Sequence, residues 1–196
     1  MTTALSESLR RLAADLSDLD ARWALIGGFA VSARAEPRFT RDVDVCALVE
    51  DDAGAEALAA ALVQRGYVVN AVVEHERTGR LATLRLHSPV IGGVLVDLLF
   101  ASSGIEDEVV AAAEALKVLP DLTIPVARTP HLVVLKLLAR DDVNRPQDAM
   151  DLRSLRPVLR PGEADEVRRL ASLVVARGFH RDRDVVALGE EFLAEA

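Results

Sequence analysis

The chain has 196 residues but a single cysteine, Cys46, and only 4% aromatic side chains. One thiol excludes an internal disulfide framework and leads us to expect a reducing, cytoplasmic setting. With so few rings, the core must be assembled from Ala, Leu and Val. At 51% hydrophobic residues there is enough of this material to bury a core without metals or disulfides. An excess of positive charge is also missing. Lys plus Arg number 23 against 31 Asp plus Glu, a formal net charge of −8. That excludes a general nucleic-acid coat, although net charge does not say where the charges sit. No apolar run approaches the ~20 residues that span a bilayer, so no membrane association is expected. The opening MTTALSESLRRLAADL carries charges where a signal peptide needs its apolar stretch. There is no P-loop or Rossmann glycine fingerprint and no internal repeat. His75, His87, His131 and His180 lack metal-ligand spacing and are expected on the surface or in loops.

What is present is an orderly alternation of elements. Leu5, Leu9, Leu12 and Leu16 recur at helical spacing and predict an amphipathic helix over 6–20. A short strand over 23–26 stops at Gly27-Gly28, and a helix over 29–34 ends before Pro37. A strand over 43–49 alternates apolar Val43, Val45 and Ala47 with Asp42, Asp44 and Cys46. An alanine-rich helix over 52–64 is followed by strands over 67–73, 81–87 and 94–100, with Gly92-Gly93 as the turn between the last two. A helix over 106–116 and a strand over 122–127 complete this part. From Thr129 onward only helices are expected, over 131–141, 145–159, 161–177 and 182–194. Thr129 is the expected cap of the first and Pro130 its first residue.

The fold class is therefore α/β (α+β): a mixed sheet flanked by helices, followed by a C-terminal helical bundle. The expected division is a catalytic domain over 1–128 and a helical domain over 129–196. The first holds 12 basic and 19 acidic side chains and the second 11 and 12. Nine arginines between Arg145 and Arg183 make the helical part the better candidate for a basic face. Pairing of those arginines with neighbouring carboxylates is the plainer alternative.

The chemistry concentrates in LIGGFAVSARAEPRFTRDVDV. Glycine at a strand end permits a sharp turn and a close backbone approach, and the N–H groups opening the next helix form an anion site. Asp42 and Asp44 lie two residues apart on one strand and point to one face, roughly 7 Å apart at Cα. Their repulsion is relieved by a divalent cation, and their hard oxygens suit Mg²⁺. Asp97 interrupts VLVDLLF, where an unpaired charge would be costly. If its strand lies beside the first, three carboxylates meet in one patch fit for two Mg²⁺ ions and phosphoryl transfer. Lys136 interrupts the apolar helix LVVLKLLA, with Arg140 one turn later. Asp148 and Asp151 follow at helical spacing, and one of them is expected to pair with Lys136 or Arg145.

The ordered set Gly27-Gly28, Arg38-x-Thr40-x-Asp42-x-Asp44 and Asp97 resembles the DNA polymerase β-like nucleotidyltransferase superfamily. Within it the chain is most similar to the abortive-infection type nucleotidyltransferases, which include toxins of toxin–antitoxin pairs. HLVVLKLLARDDVNRPQDAMDLRSL resembles their C-terminal signature, so the resemblance covers residues 22–156.

The resemblance implies transfer of a nucleoside monophosphate from an NTP to a hydroxyl, at the 3′ end of tRNA, with release of pyrophosphate. It implies that Gly27 and Gly28 cradle the triphosphate and that Asp42 and Asp44 bind Mg²⁺. Asp97 would complete the metal site or take the hydroxyl proton. Thr40 and Arg41 would touch phosphate oxygens, and Lys136 would reach the β- and γ-phosphates with Arg140 nearby. Many superfamily members have Gly-Ser where this chain has Gly27-Gly28, which removes a hydroxyl and keeps the amides. Two alternatives stay open: a small-molecule acceptor such as an aminoglycoside, and a nucleotide-binding module without turnover held by a cognate antitoxin.

Overall fold

The computed structural model describes residues 3–90, 93–141 and 146–194. Helix α1 (Thr3–Asp18) buries Leu5, Leu9, Leu12 and Leu16, the stripe expected from their spacing. Strand β1 (Arg22–Leu25) runs into α2 (Gly27–Arg34), and β2 (Asp42–Leu48) follows. Helix α3 (Asp52–Gln64) is capped by Asp51, whose carboxylate accepts from the Gly54 N–H at 2.9 Å. Strands β3 (Val68–Glu74), β4 (Leu81–His87) and β5 (Leu95–Leu99) come next. The expected Gly92-Gly93 turn between β4 and β5 lies partly outside the described residues, since Gly92 is not among them.

Two expectations are corrected in the next stretch. The helix expected over 106–116 is short: α4 spans Glu106–Ala111, and β6 (Glu114–Leu119) replaces its second half. In EALKVL the partly buried Leu116 and Val118 alternate with exposed Ala115 and Lys117. That two-residue period pairs with β7 (Leu122–Val126), Leu116 opposite Ile124, and the hairpin overrides local helix preference. Helix α5 (Thr129–Ala139) starts one residue early, so Arg128 holds the cap position and the Thr129 side chain caps nothing.

Helix α6 (Pro146–Leu155) gives way to a 3-10 turn at Arg156–Val158, where Pro157 cannot donate to continue the α-helix. Helices α7 (Glu163–Ala176) and α8 (Val185–Ala194) close the chain.

Among the described residues seven strands form one mixed sheet in the order β3-β4-β5-β2-β1-β7-β6. The β2–β5 and β1–β7 pairs are parallel, and the remaining neighbours are antiparallel. A single apolar cluster runs from Leu9 and Leu12 through Val43, Val96 and Leu98 to Leu132, Leu137, Leu170 and Phe192. Each fully buried Leu or Val contributes about 1.5–3 kcal/mol. On β2 the face carrying Asp42, Asp44 and Cys46 is covered only at its Cys46 end. There the thiol approaches the Glu106 carbonyl of α4 at 3.9 Å, and burial pushes its pKa up. The Asp42 end stays half-buried and faces a cleft.

Candidate active site

The cleft has a volume of about 990 Å³ and is walled by the start of α2, residues 38–42, β4, β5, α5 and the turn at 178–182. Strand pairing creates its floor. Asp44 stands opposite Asp97 across β2 and β5, and Asp97 stands opposite Arg85 across β5 and β4. Carboxylate oxygens of Asp42, Asp44 and Asp97 lie within 4.8 Å of one another, a spacing at which one hard cation can bridge them. Thr40 donates from Oγ1 to Asp42 Oδ1 at 3.0 Å, so this hydroxyl orients a carboxylate in the site. Arg85 grips both oxygens of Asp97, Nε to Oδ1 at 2.7 Å and Nη2 to Oδ2 at 2.6 Å. The hydrogen bonds to Asp97 raise the Arg85 pKa.

Gly27 is sterically required, whereas Gly28 is tightly enclosed by side chains. Gly27 has φ +64°, and a Cβ there would fall 1.9 Å from Asp44 Oδ2. A Cβ on Gly28 would meet Arg38 Nη2 at 2.7 Å and Thr40 Oγ1 at 2.8 Å, so a serine here needs Arg38 to move. The N-cap residue of α2, Ile26, offers no side-chain cap, and among the described residues no side chain accepts from the first N–H groups of the helix, which open beside the carboxylates.

A second charged cluster lies behind the first. Lys136 Nζ is 2.7 Å from Asp148 Oδ1 and 2.9 Å from Asp151 Oδ2. Asp151 also accepts from Arg38, Nε at 2.5 Å and Nη2 at 2.8 Å. Both aspartates are fully buried, so charge pairs hold α6 against α5 through Lys136 and against the segment after α2 through Arg38. Lys136 lines the cleft, but its ammonium is committed to these partners. Arg140 sits at the C-terminal cap of α5, outside the cleft lining. Arg145, the other expected partner of Asp148 or Asp151, lies outside the described residues.

Several site residues escaped the sequence reading. Arg85 occupies an outward position on an alternating strand, where a charge is ordinary; only register places it on Asp97. Phe39, 65% exposed, stands on the cleft lip with the Arg41 guanidinium 5.9 Å from its ring centre. Arg38 was visible as part of the motif, but its partner on α6 was not.

One further expectation changes. His131 is neither superficial nor in a loop but fully buried within α5, whereas His75 lies in a loop, buried against Phe179 on the cleft wall. Several basic side chains of the helical part are held by carboxylates, Arg168 by Glu190 and Asp165 and Arg177 by Glu108, as the plainer alternative has it. Arg181 alone among the described arginines after Arg145 lines the cleft, bound to Ser102.

A family profile described as "Nucleotidyl transferase AbiEii toxin, Type IV TA system" matches residues 9–196. Among solved structures, an antigenic nucleotidyltransferase-like protein from Paracoccidioides brasiliensis aligns with TM-score 0.57 at 18% identity. The alignment covers 96% of this chain and 93% of that one. The lincosamide antibiotic adenylyltransferase LnuA aligns with TM-score 0.52 at 14% identity, over 78% of this chain and 97% of its own. The antibiotic-resistance factor ANT(2″)-Ia aligns with TM-score 0.51 at 19% identity, over 100% and 94%. At these identities the likeness is one of fold. By sequence, no curated protein matches the chain. Among the described residues no helix is long and apolar enough to cross a membrane.

Proposed function

The chain belongs to the AbiEii nucleotidyl transferase toxin family and is an NTP-dependent nucleotidyltransferase; from that premise we propose that it acts with Mg²⁺ on the 3′ end of an RNA, tRNA by family resemblance. The observation that carries this reading is the convergence of Asp42, Asp44 and Asp97 beside the uncapped start of α2, in one cleft.

Three hard carboxylate donors from adjacent strands fit Mg²⁺, and Asp42, Asp44 and Asp97 would hold it. Bound there, the ion would neutralise charge on the reacting phosphates. The residues of the chain do the positioning. The N–H groups of Gly27 and Gly28 bind phosphate oxygens, and their lack of side chains lets the phosphate approach the carboxylates. Thr40 fixes the rotamer of Asp42. Arg38 and Lys136 keep α6 against the cleft wall through Asp151 and Asp148, a structural task at the edge of the site.

The acceptor is argued from the rest of the lining. Arg41, Arg77, Arg85 and Arg181 bring guanidinium groups to the cleft, and Phe39 presents a ring on which an unpaired base stacks. Those features favour an RNA end. Glu74, Glu76 and Asp182 line the same cleft and favour a second reading, a cationic small-molecule acceptor. The family description also supports a cognate antitoxin as the partner that restrains the activity in the cell.

The test is incubation with each α-labelled NTP, Mg²⁺ and either total RNA or an aminoglycoside. Label entering RNA is the expected result. Label on the drug alone selects the second reading, and no product with either acceptor overturns both.

A further inference from the structure

We propose that Arg85 is a resident counter-ion of the carboxylate triad, competing with the divalent cation for Asp97 and released as the cation loads. The inference rests on the reading of Asp42, Asp44 and Asp97 as metal ligands.

Three observations carry it. The first is electrostatic. Three carboxylates within 4.8 Å of one another repel, and the guanidinium fork engages both oxygens of Asp97 at 2.6–2.7 Å. A cation that takes Asp97 as a ligand draws on the same two oxygens, so its positive charge repels the guanidinium and weakens the fork.

The second is that two other cations lining the cleft, Lys136 and Arg38, are already engaged. Lys136 is held by Asp148 and Asp151, and Arg38 by Asp151, so the structure places Arg85 alone of these three on the triad.

The third is freedom of movement. The Arg85 side chain is 44% exposed whereas Asp97 is 9% exposed. The guanidinium can therefore swing into the cleft without unpacking β4, while Asp97 stays in place between β2 and β4. Once released, it faces the same space as the α2 N-terminus, where planar guanidinium geometry matches phosphate oxygens. Arg85 is thus a positioning residue for the metal-free site and sets a threshold for metal entry.

The experiment measures Mn²⁺ binding to the full chain by loss of the free-ion paramagnetic signal, together with thermal unfolding with and without Mn²⁺. Arg85→Met should bind Mn²⁺ about tenfold more tightly than the unmodified protein, the effect of removing a charge-assisted competitor. Its melting temperature should fall without metal and recover with it. Arg85→Lys keeps the charge but loses the fork, and should fall between the two. Adding Asp97→Asn to Arg85→Met should erase the gain. Equal or weaker Mn²⁺ binding by Arg85→Met overturns the role of Arg85 and leaves the metal reading intact. No Mn²⁺ binding by any of the proteins overturns the metal reading, and the role of Arg85 with it.

Discussion

Two charged clusters stand side by side in this molecule, one on the cleft and one behind it. At the cleft, Asp42, Asp44 and Asp97 crowd together, and Arg85 takes hold of one of them from a half-exposed position. Behind it, Asp148 and Asp151 meet Lys136 and Arg38, with both carboxylates fully buried. A buried pair must be balanced, because an uncompensated charge in a poor dielectric costs several kcal/mol. A patch open to a cleft can keep an excess of one sign, since water and an incoming cation share the load. The comparison teaches that exposure to a cleft, rather than the number of charges, distinguishes a site for chemistry from a joint between elements.

Mutations break that comparison cleanly. Asp44→Ala should lower nucleotidyl transfer by about 10³-fold or more, through loss of a metal ligand. Its melting temperature should stay level or rise, because one source of repulsion is gone. Labelled transfer and thermal unfolding, measured on the same preparation, check both halves.

Asp151→Ala should do the reverse. It strips the buried Lys136 ammonium and the half-buried Arg38 guanidinium of a shared partner and should destabilise the fold by about 3–5 kcal/mol, seen in urea unfolding. Activity should fall only as far as the folded fraction falls.

The smallest effect sharpens the point with pH. His131 is fully buried, with Nε2 3.9 Å from Glu166 of α7, a carboxylate that also pairs with Arg128. Burial first, then the Arg128 charge, pulls its pKa from 6.5 down to about 4. Since the folded value is the lower one, the unfolded chain takes up the proton first. Stability should therefore be full above about pH 6.5 and fall as pH drops toward 4, by on the order of 3 kcal/mol. Urea unfolding at pH 7 and pH 5 measures the fall, and His131→Asn should flatten it.

How much of this was legible beforehand follows from the range of each interaction. Element type was readable wherever periodicity was clear, as in the Leu5–Leu16 stripe of α1 or the alternation of β2. It failed at residues 114–116, where the partner strand β7 decides the conformation. The carboxylates were visible because an Asp within an apolar strand is conspicuous on its own. Arg85 was not, because an arginine on the outer face of an alternating strand looks ordinary until its neighbour is known.

The amino-acid sequence by itself determined the mixed α/β class, the Gly27-Gly28 turn, the acidic strand positions and the family to which the chain belongs. These depend on side-chain chemistry and spacing within a few residues. Only the tertiary structure decided that Asp44, Asp97 and Arg85 lie in one row across three strands, and that Asp151 joins Arg38 to Lys136. Such contacts join residues 12 to 113 positions apart. Strand register and helix packing set them, through burial of the whole apolar core rather than through any local signal.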